Sequence, residues 1–487
     1  MFHSKATGGF QFDTSYLSLP DCFYKEVQPT PTYEPEMLML NKALMEDLDL
    51  ANEQKDELTQ ILSGNRIPEN AKPIAQAYAG HQFGHFTMLG DGRAILLGEH
   101  LTKDQRRYDI QLKGSGQTPY SRRGDGRATL KAMLREYLIS EAMHHLKIPT
   151  SRSLAVINTG EAVYREQVHD GAVLTRVMKG HIRIGTFEFA SYFGTKEDLL
   201  MLTKYTLDRH FPEHISTDQP GLRLLEEVMK LQIELVVNWM RVGFIHGVMN
   251  TDNTSISGET FDYGPCAFMN RYHPHTVFSS IDSNGRYAFS NQPQIIKWNL
   301  SRLAEALLPI IHEDKETAVQ IAQRTIDSFD DLWDKEYNRM MLRKIGIVQE
   351  QSDDLELINE LLQCMYVEHA DYTNTFAALS NDFNWKKSPF QSATLKTWYE
   401  KWHQRITKNK DGLQTAKEIM MQSNPIFIPR NHIVEQALDE ATKDNFSLFE
   451  YLLTCLNTPY EFQESFNKFL EPPNEEFETQ YQTYCGT

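Results

Sequence analysis

The stretch between His246 and Asp262 constrains what this chain can fold into more than any other part of the sequence. Apolar residues at helical spacing run through 222–239 and lead directly into it. Within it, Asp252 is followed at once by Asn253, and Asp262 comes a short loop later. Carboxylate and carboxamide oxygens are ligands that Mg²⁺ accepts in proteins. The stretch therefore predicts a divalent-metal site, with Asn253 and Asp262 as ligands, beyond the end of a long helix.

The spacing of this stretch matches the catalytic loop of protein kinases, H-R-D-L-x-x-x-N followed by D-F-G. His246 and Asn253 are as far apart as the His and Asn of that loop, and Asp262 begins the counterpart of D-F-G. At the position of the kinase base the chain has Val248, which cannot accept a proton. Asp252 is the candidate replacement. The alternative is that Asp252 only caps the loop in an Asx turn.

Upstream pieces of the sequence follow the order of a kinase nucleotide site. A glycine turn with Gly90 and Gly92 is predicted to form a hairpin tip. An alternating strand over 108–113 ends on Lys113, and a helix over 128–146 carries Glu136. Each piece is common alone, so the shared order carries the prediction. It indicates an α+β, protein-kinase-like, two-lobed fold, with a mixed β/α N-lobe, a mainly helical C-lobe, and N-terminal and C-terminal extensions.

The pattern divides the chain into four parts. An N-terminal extension packed on the core covers 1–76, and the N-lobe covers 77–180, with further strands expected at 153–157, 162–165 and 173–177. The C-lobe with the catalytic loop covers 181–300, including a helix that a capping box at Thr195 opens. A helical region and an acidic tail make up 301–487.

Two arginines, Arg176 and Arg183, follow the last predicted strand, around the expected hinge between the lobes. In a kinase this region meets adenine through backbone groups. Guanidinium groups favour phosphate instead, because their planar donors match its oxygens. The placement indicates a nucleotide bound in reverse, with its phosphates where adenine normally lies. The alternative is that both are ordinary surface arginines.

Composition limits the classes of function. The net charge of −17 disfavours broad binding to nucleic acid, which needs a positive surface. We expect no signal peptide and no transmembrane helix, because no apolar run has the required length. The five cysteines are scattered without a CxxC pair, which disfavours zinc and is typical of a reducing compartment, so we expect a cytoplasmic protein.

Long blocks of the sequence resemble the selenoprotein O family (SelO, named YdiU in bacteria). The blocks are Ala79-Gly-His-Gln-Phe-Gly84, Leu89-Gly-Asp-Gly-Arg93, the run 109–127, His181-Ile-Arg-Ile-Gly-Thr-Phe187, His246-Gly-Val-Met-Asn-Thr-Asp-Asn253 and Phe261-Asp-Tyr-Gly-Pro265. The resemblance implies a pseudokinase fold that transfers AMP from ATP to Ser, Thr or Tyr hydroxyls of proteins, with Mg²⁺ or Mn²⁺ and a reversed nucleotide. UMP transfer from UTP is also attributed to bacterial members. We expect protein substrates, and favour a monomer.

The resemblance also implies roles for single residues. Asp252 would accept the proton, Asn253 and Asp262 would bind the metal, and Lys113 would pair with Glu136. The residues implied to contact the nucleotide are Gly90, Gly92, Arg93, Lys113, Asp125, Gly126, Arg176 and Arg183. An ordinary phosphotransferase and a non-catalytic nucleotide-binding scaffold are the alternatives.

The resemblance extends to cysteine chemistry near the C-terminus. Many eukaryotic relatives carry selenocysteine there, whereas this chain has Cys485. Some members are proposed to close a disulfide between the activation segment and the tail, and Cys266 is the only cysteine in that segment here. A redox role for Cys266 and Cys485 is therefore an expectation, and an incidental thiol at Cys485 is the alternative.

Overall fold

The computed structural model describes residues 8–380, 389–408 and 412–484. Its centre is an antiparallel sheet, and two short antiparallel pairs lie outside it. The strands within the described residues are β1 (Phe12–Asp13), β2 (Tyr24–Glu26), β3 (Glu36–Leu40), β4 (Ile74–Gln76), β5 (Ala79–Gln82), β6 (His85–Met88), β7 (Ala94–Leu101), β8 (Arg107–Lys113), β9 (Ala128–Thr129), β10 (Arg152–Tyr164), β11 (Val168–Met178), β12 (Phe244–Ile245) and β13 (Ala267–Phe268).

The main sheet has the strand order β2-β4-β7-β8-β11-β10-β3, with β1 added to β7 and β9 added to β11. The outer strands β2 and β3 both come from the first forty residues of the chain. The pairs β5–β6 and β12–β13 are separate. The strand over Arg107–Lys113 is central in this sheet, which explains why its residues from Asp109 onward are buried.

Helices supply most of the remaining described structure. They are α1 (Lys42–Asp47), α2 (Lys55–Leu62), α3 (Leu130–His145), α4 (Ile184–Phe193), α5 (Lys196–His210), α6 (Pro220–Arg241), α7 (Gln292–Ile311), α8 (Lys315–Asp327), α9 (Phe329–Lys344), α10 (Asp354–Val367), α11 (Tyr372–Ser380), α12 (Ala393–Thr407), α13 (Gly412–Ser423), α14 (Asn431–Ala441), α15 (Ser447–Leu456) and α16 (Glu475–Gln480).

Helices cover both faces of the main sheet. On one face, Leu44 and Leu48 of the α1 region and Ile61 of α2 pack with Ile110 and Leu112 of β8 in one buried cluster. On the other face, α3 packs against β10 and β11. Because both faces are buried, β8 lacks a solvated side, and the polar residues on it must find partners inside the protein.

Register places Lys113 of β8 and Arg176 of β11 on one face of the sheet. Gln111 lies directly opposite Arg176, and Lys113 lies opposite Leu174. Residues two apart on a strand point to the same side of the sheet. Gln111, Lys113 and Arg176 therefore share one face, the face on which α3 brings Glu136.

Most predicted elements are confirmed, with shifted ends. The helix predicted over 128–146 is α3, and the capping box at Thr195 opens α5. The helix leading to residues 246–262, named the catalytic stretch here, is α6. The strands expected at 153–157 and 162–165 are parts of one long strand, β10. The α+β class is confirmed by the mixed architecture. The two lobes and the boundaries at 76, 180 and 300 stay predictions.

The hairpin tip predicted at Gly90 and Gly92 is wrong. The hairpin here is β5–β6, and Phe83 and Gly84, with φ of 52° and 87°, make its turn. The backbone amides of Leu89 and Asp91 bond Tyr78 and Gln76, so 89–91 runs back alongside the chain that enters the hairpin. The glycines lie where the chain crosses from the hairpin to β7.

Across the described residues, none of the helices has the length and apolar character that a bilayer span needs.

Candidate active site

A cluster of two cations and two carboxylates, in which only Asp262 is partly exposed, lies where β8, β11 and α3 meet the end of the stretch 246–262. Lys113 Nζ donates to Glu136 Oε2 at 2.6 Å and to Asp262 Oδ1 at 2.5 Å. Arg176 donates to Glu136 Oε1 at 2.5 and 2.8 Å, and its Nη2 is 3.3 Å from Asp262 Oδ1. The structure thus brings together Lys113, Glu136, Arg176 and Asp262, and the predicted Lys113–Glu136 pair is present.

Electrostatics keep both carboxylates of this cluster ionised. Burial alone would raise the pKa of Glu136, but Arg176 and Lys113 outweigh it and the pKa is lowered. The same balance, with Lys113, Arg176 and Arg93 opposing burial, holds the pKa of Asp262 well below its usual value. Asp262 has a φ of 63°, in the left-handed region that residues other than glycine rarely occupy. Such strain is often found at functional sites.

Asp252 lies in a short 3-10 turn, Thr251–Asn253, and only 7% of its surface is exposed. Its Oδ2 accepts a hydrogen bond from Gln82 Nε2 at 3.4 Å. Its Oδ1 has no hydrogen-bond partner among the residues that the structure describes. Burial raises the pKa of Asp252 to about 6, although Arg183 opposes the shift. At neutral pH the carboxylate is therefore mostly ionised and able to accept a proton.

Arg183, at the N-cap of α4, lies between the two parts of the site. Its guanidinium stacks 4.0 Å from the ring centre of Tyr78 and 5.0 Å from that of Phe261. It donates to the backbone oxygen of Asp252 at 3.2 Å and lies 3.6 Å from Asp91 Oδ1. Arg176 and Arg183 are both only 4% exposed, which excludes the alternative that they are surface arginines.

His246 supports the site from behind. The side chain is buried, and its Nε2 lies 3.2 Å from the backbone oxygen of Phe261, the residue before Asp262. Its ring packs at 5.3 Å from Trp239 of α6. His246 therefore links the end of the long helix to the backbone that carries Asp262. Val248, at the position of the kinase base, is buried as well.

The donor set fits a hard divalent cation. The side-chain nitrogen of Asn253 donates to the backbone oxygen of Val248 at 3.1 Å, so its carbonyl oxygen remains the atom suited to a metal. Asp262 is an ionised carboxylate with 31% of its side chain exposed. Within the described residues, no three His, Cys, Asp or Glu side chains gather as a metal cluster. A Mg²⁺ site with one carboxylate, one carboxamide and substrate phosphates needs no such cluster.

The glycine turn with Gly90 and Gly92 lies against the segment 116–126, which follows β8. The hydroxyl of Thr118 donates to the backbone oxygen of Asp91 at 2.6 Å, and that of Ser121 donates to Gly92. A side chain at Gly126, where φ is 69°, would lie 2.0 Å from the backbone oxygen of Gly116, so only glycine fits. Asp125, next to it, is exposed and forms a two-pronged ion pair with Arg165, at 2.7 and 3.0 Å.

Of the two predicted redox cysteines, the structure describes only Cys266. Cys266 is 1% exposed, and burial raises the pKa of its thiol to about 11. Cys485 lies outside the described residues. The tail before it does reach this segment, because the hydroxyl of Thr483 donates to the backbone oxygen of Pro265 at 2.7 Å. Arg135 donates to the backbone oxygen of Cys266 at 2.7 Å.

Sequence reasoning missed several residues of the site. Asp91, 3% exposed, faces Arg183, and burial raises its pKa. Gln111 accepts from Arg176 at 3.3 Å, and its position two residues before Lys113 could have revealed it. Gln82 reaches Asp252 across 170 residues of sequence, so no local pattern could have revealed that contact.

Comparisons with known proteins identify the family of this chain. The sequence model of the family described as "Protein adenylyltransferase SelO" matches residues 8–457. Similar proteins named "Protein nucleotidyltransferase YdiU" include one from Nitrosococcus oceani, 52% identical over 98% of both chains, and one from Bacillus mycoides, 51% identical over 99% of this chain and 100% of the relative. Another, from Clostridium perfringens, is 50% identical over 100% of this chain and 99% of the relative. The chain therefore belongs to the protein adenylyltransferase SelO family and is an enzyme of the nucleotidyltransferase class.

Proposed function

We propose that this chain transfers AMP from ATP to Ser, Thr or Tyr hydroxyls of proteins and releases pyrophosphate, with UMP from UTP as the alternative reaction. Membership of the family supports nucleotidyl transfer. The observation that carries the proposal is the position of Asp252, a buried carboxylate directly before Asn253, in a loop where Val248 replaces the usual base. A site of this kind keeps a proton acceptor, but at a different place from a kinase.

In the proposed reaction the acceptor hydroxyl gives its proton to the carboxylate of Asp252. The hydroxyl oxygen forms a bond to the α-phosphorus, the bond from that phosphorus to the bridging oxygen breaks, and pyrophosphate leaves. Positioning and charge should supply most of the rate, as in other phosphoryl-transfer enzymes. A pKa of about 6 suits Asp252 to this role near neutral pH.

Asn253 and Asp262 would hold Mg²⁺ or Mn²⁺, which would neutralise phosphate charge when bound. Lys113 and Arg176 hold Asp262 in place through the hydrogen bonds of the ion cluster. Arg176 places a buried guanidinium beside Asp262, and Arg183 places one beside Asp252. These positions support the reversed nucleotide, because guanidinium groups favour phosphate. Gly90, Gly92, Arg93, Asp125 and Gly126 are proposed to complete the nucleotide site.

Labelled ATP separates the alternatives. Wild-type protein is incubated with Mg²⁺ or Mn²⁺, a mixture of cellular proteins, and ATP labelled at either the α- or the γ-phosphate. We expect protein-bound label from the α-position only, with an equal yield of pyrophosphate. Label from the γ-position only would support a phosphotransferase, and no label with ATP still raising the melting temperature would support a scaffold. A parallel series with α-labelled UTP decides the nucleotide.

The variant Asp252→Asn tests the proton acceptor. It keeps the shape of the side chain but removes the base, so α-label transfer should fall at least about 100-fold. Stabilisation of the protein by ATP and metal should be retained, measured as the shift in melting temperature. Asp104→Asn is the control, because it makes the same change at an exposed carboxylate that is distant from Asp252 in the sequence. Near-normal transfer by Asp252→Asn would show that another group takes the proton.

A further inference from the structure

The hairpin β5–β6 makes hydrogen bonds to the short turn that carries Asp252. Three consecutive residues of the hairpin bond three consecutive residues of the catalytic stretch, although about 170 residues separate the two segments in the sequence. Two of the bonds use backbone amides of the hairpin and one uses a side chain. In order along the hairpin, the bonds are His81 N to Thr251 Oγ1 at 2.7 Å, Gln82 Nε2 to Asp252 Oδ2 at 3.4 Å, and Phe83 N to Asn250 Oδ1 at 3.1 Å.

Two glycines allow the hairpin to come this close. A Cβ atom at Gly80 would lie 2.7 Å from Asp252 Oδ1 and 2.9 Å from its Cβ. A Cβ atom at Gly185, in the first turn of α4, would lie 2.0 Å from the backbone oxygen of Ala79. Any larger residue at either position would push the hairpin away from Asp252. The contact is therefore built into the sequence from both sides.

The opposite side of the hairpin is fixed to the body of the protein. Since side chains alternate along a strand, Gly80 and Gln82 face Asp252 and His81 points away from it. The His81 ring makes a short hydrogen bond to Glu188 of α4, whose side chain is 2% exposed. The same ring meets Trp298 of α7 edge-on at 5.3 Å. The hairpin is thus held between two helices rather than hanging free.

The partner of the hairpin in the catalytic stretch is fixed as well. Asn250 Oδ1, which accepts from Phe83, also accepts from the hydroxyl of Tyr287 at 2.5 Å. Asn299 of α7 donates to the backbone oxygen of Met249 at 3.0 Å. The backbone around Asp252 is therefore braced, and the remaining freedom is rotation of its carboxylate. Gln82 is the one described side chain with a hydrogen bond to that carboxylate.

We propose that β5 with the turn after it, residues 79–84, is a positioning element for Asp252, and that Gln82 orients the Asp252 carboxylate toward the acceptor hydroxyl. This rests on the proposed function, because only a proton acceptor needs such orientation. Gln82 donates to Oδ2, and Oδ1 is buried against Gly80, so the hairpin contacts both oxygens of the carboxylate. A misplacement of about 1 Å in a reacting group can cost roughly 100-fold in rate. Gln82 is thus a positioning residue, and it acts through Asp252.

Two substitutions test the proposal in the full-length protein. Gln82→Met keeps the length of the side chain and removes its N–H donor. We expect kcat for α-label transfer to fall roughly ten-fold, with KM for ATP unchanged, since the nucleotide contacts are untouched. Gly80→Ala should lower kcat more and speed hydrogen–deuterium exchange in the peptide over 246–256. His85→Ala is the control, because His85 pairs with Gln82 across the hairpin but is exposed.

The outcomes separate this proposal from the function on which it rests. Faster exchange over 246–256 in Gly80→Ala, with His85→Ala like wild type, supports the positioning element even if no transfer is found. Unchanged exchange in Gly80→Ala overturns it, whatever the transfer assay shows. If wild type transfers label and the kcat of Gln82→Met equals that of His85→Ala, the proposed role of Gln82 is overturned. A wild type without α-label transfer refutes the proposed function alone.

Discussion

Glu136 is the residue that holds two buried cations together. It accepts from Lys113 and from Arg176, and it is 1% exposed. Removing one partner of a buried ion pair leaves a charge without compensation. We therefore expect Glu136→Ala to lower the free energy of unfolding by about 3 kcal/mol, measured by urea denaturation. ATP binding should weaken at the same time, because Lys113 loses the group that orients it.

Glu141 provides the matched control for this prediction. It lies on the same helix, is also buried, and pairs with Arg152 at 2.7 to 3.1 Å. Glu141→Ala should therefore also lower stability, but ATP affinity should not change. If both variants weaken ATP binding equally, Glu136 contributes to general stability and not to the nucleotide site.

Glu259 predicts a dependence of stability on pH. Burial raises its pKa to about 7 in the folded protein, above the ordinary value of 4.5, although Ser257 and the backbone of Lys179 donate to it. The folded state therefore holds the proton more tightly than the unfolded state. Its contribution to stability is full below pH 4.5 and is lost as pH rises through 7, by on the order of 3 kcal/mol.

The variant Glu259→Gln removes this ionisation and keeps an oxygen that can accept the same hydrogen bonds. Urea denaturation of both proteins at pH 5 and pH 8 measures the effect. We expect similar stability at pH 5 and a more stable variant at pH 8. A difference between the proteins that does not grow with pH would mean that Glu259 is not protonated in the folded state near neutral pH.

Single residues of the site were predictable where a motif fixed their spacing. Lys113, Glu136 and Asp262 were found in this way, and the structure joins them in one cluster. Asp91 and Gln82 were not, because their roles depend on which distant segment folds against them. Asp91 sits in a glycine turn where an acid is common, and nothing local indicates that it faces Arg183.

Among the elements, the C-terminal tail makes the least expected contact. The backbone of Thr483 pairs with Phe278 and Ser280, and its hydroxyl bonds Pro265, next to Cys266. The tail therefore touches the segment that follows Asp262. If Cys485 joins Cys266 in a disulfide, oxidation should slowly change α-label transfer, since the buried Cys266 thiol, with a pKa of about 11, reacts slowly.

Transfer by oxidised and reduced protein, treated with oxidised or reduced glutathione, measures this effect. Cys485→Ser should remove the difference between the two states. Cys364→Ser, which changes a half-buried cysteine of α10, should leave it in place. Equal transfer by oxidised and reduced wild type would count against a redox role for the tail.

Long helices were the most predictable elements. The periodicity of α6 arises from one apolar face, whereas α3 is buried on all sides from Glu136 to Met143, and burial stabilises both helices. The hairpin β5–β6 was not predicted, because Gly80, His81 and Gln82 lack the apolar alternation of a strand. Its strands are stabilised instead by hydrogen bonds to the catalytic stretch and to α4, which a local pattern does not contain.

At the scale of the whole molecule, the sequence predicted an extension over 1–76 that packs on the core. The structure shows that this part supplies the strands at both edges of the main sheet, β2 beside β4 and β3 beside β10. It also covers one face of the sheet with α1 and α2. Pairing between distant strands leaves no signal in a single sequence, since each strand is only a short apolar run. The extent of this integration was therefore not predictable.

The position of β2 and β3 at opposite borders of the sheet also dictates the length of the chain between them. Six spacings between neighbouring strands separate β2 from β3, which makes a distance of about 29 Å across the sheet. The ten peptide steps from Glu26 to Glu36 reach about 33 Å when fully stretched. The connection therefore has little length to spare even though it bends at Tyr33 and Glu34, and its prolines, Pro29, Pro31 and Pro35, favour an extended backbone. During synthesis β2 can pair as soon as β4 has emerged, whereas β3 stays without its partner until β10 has left the ribosome.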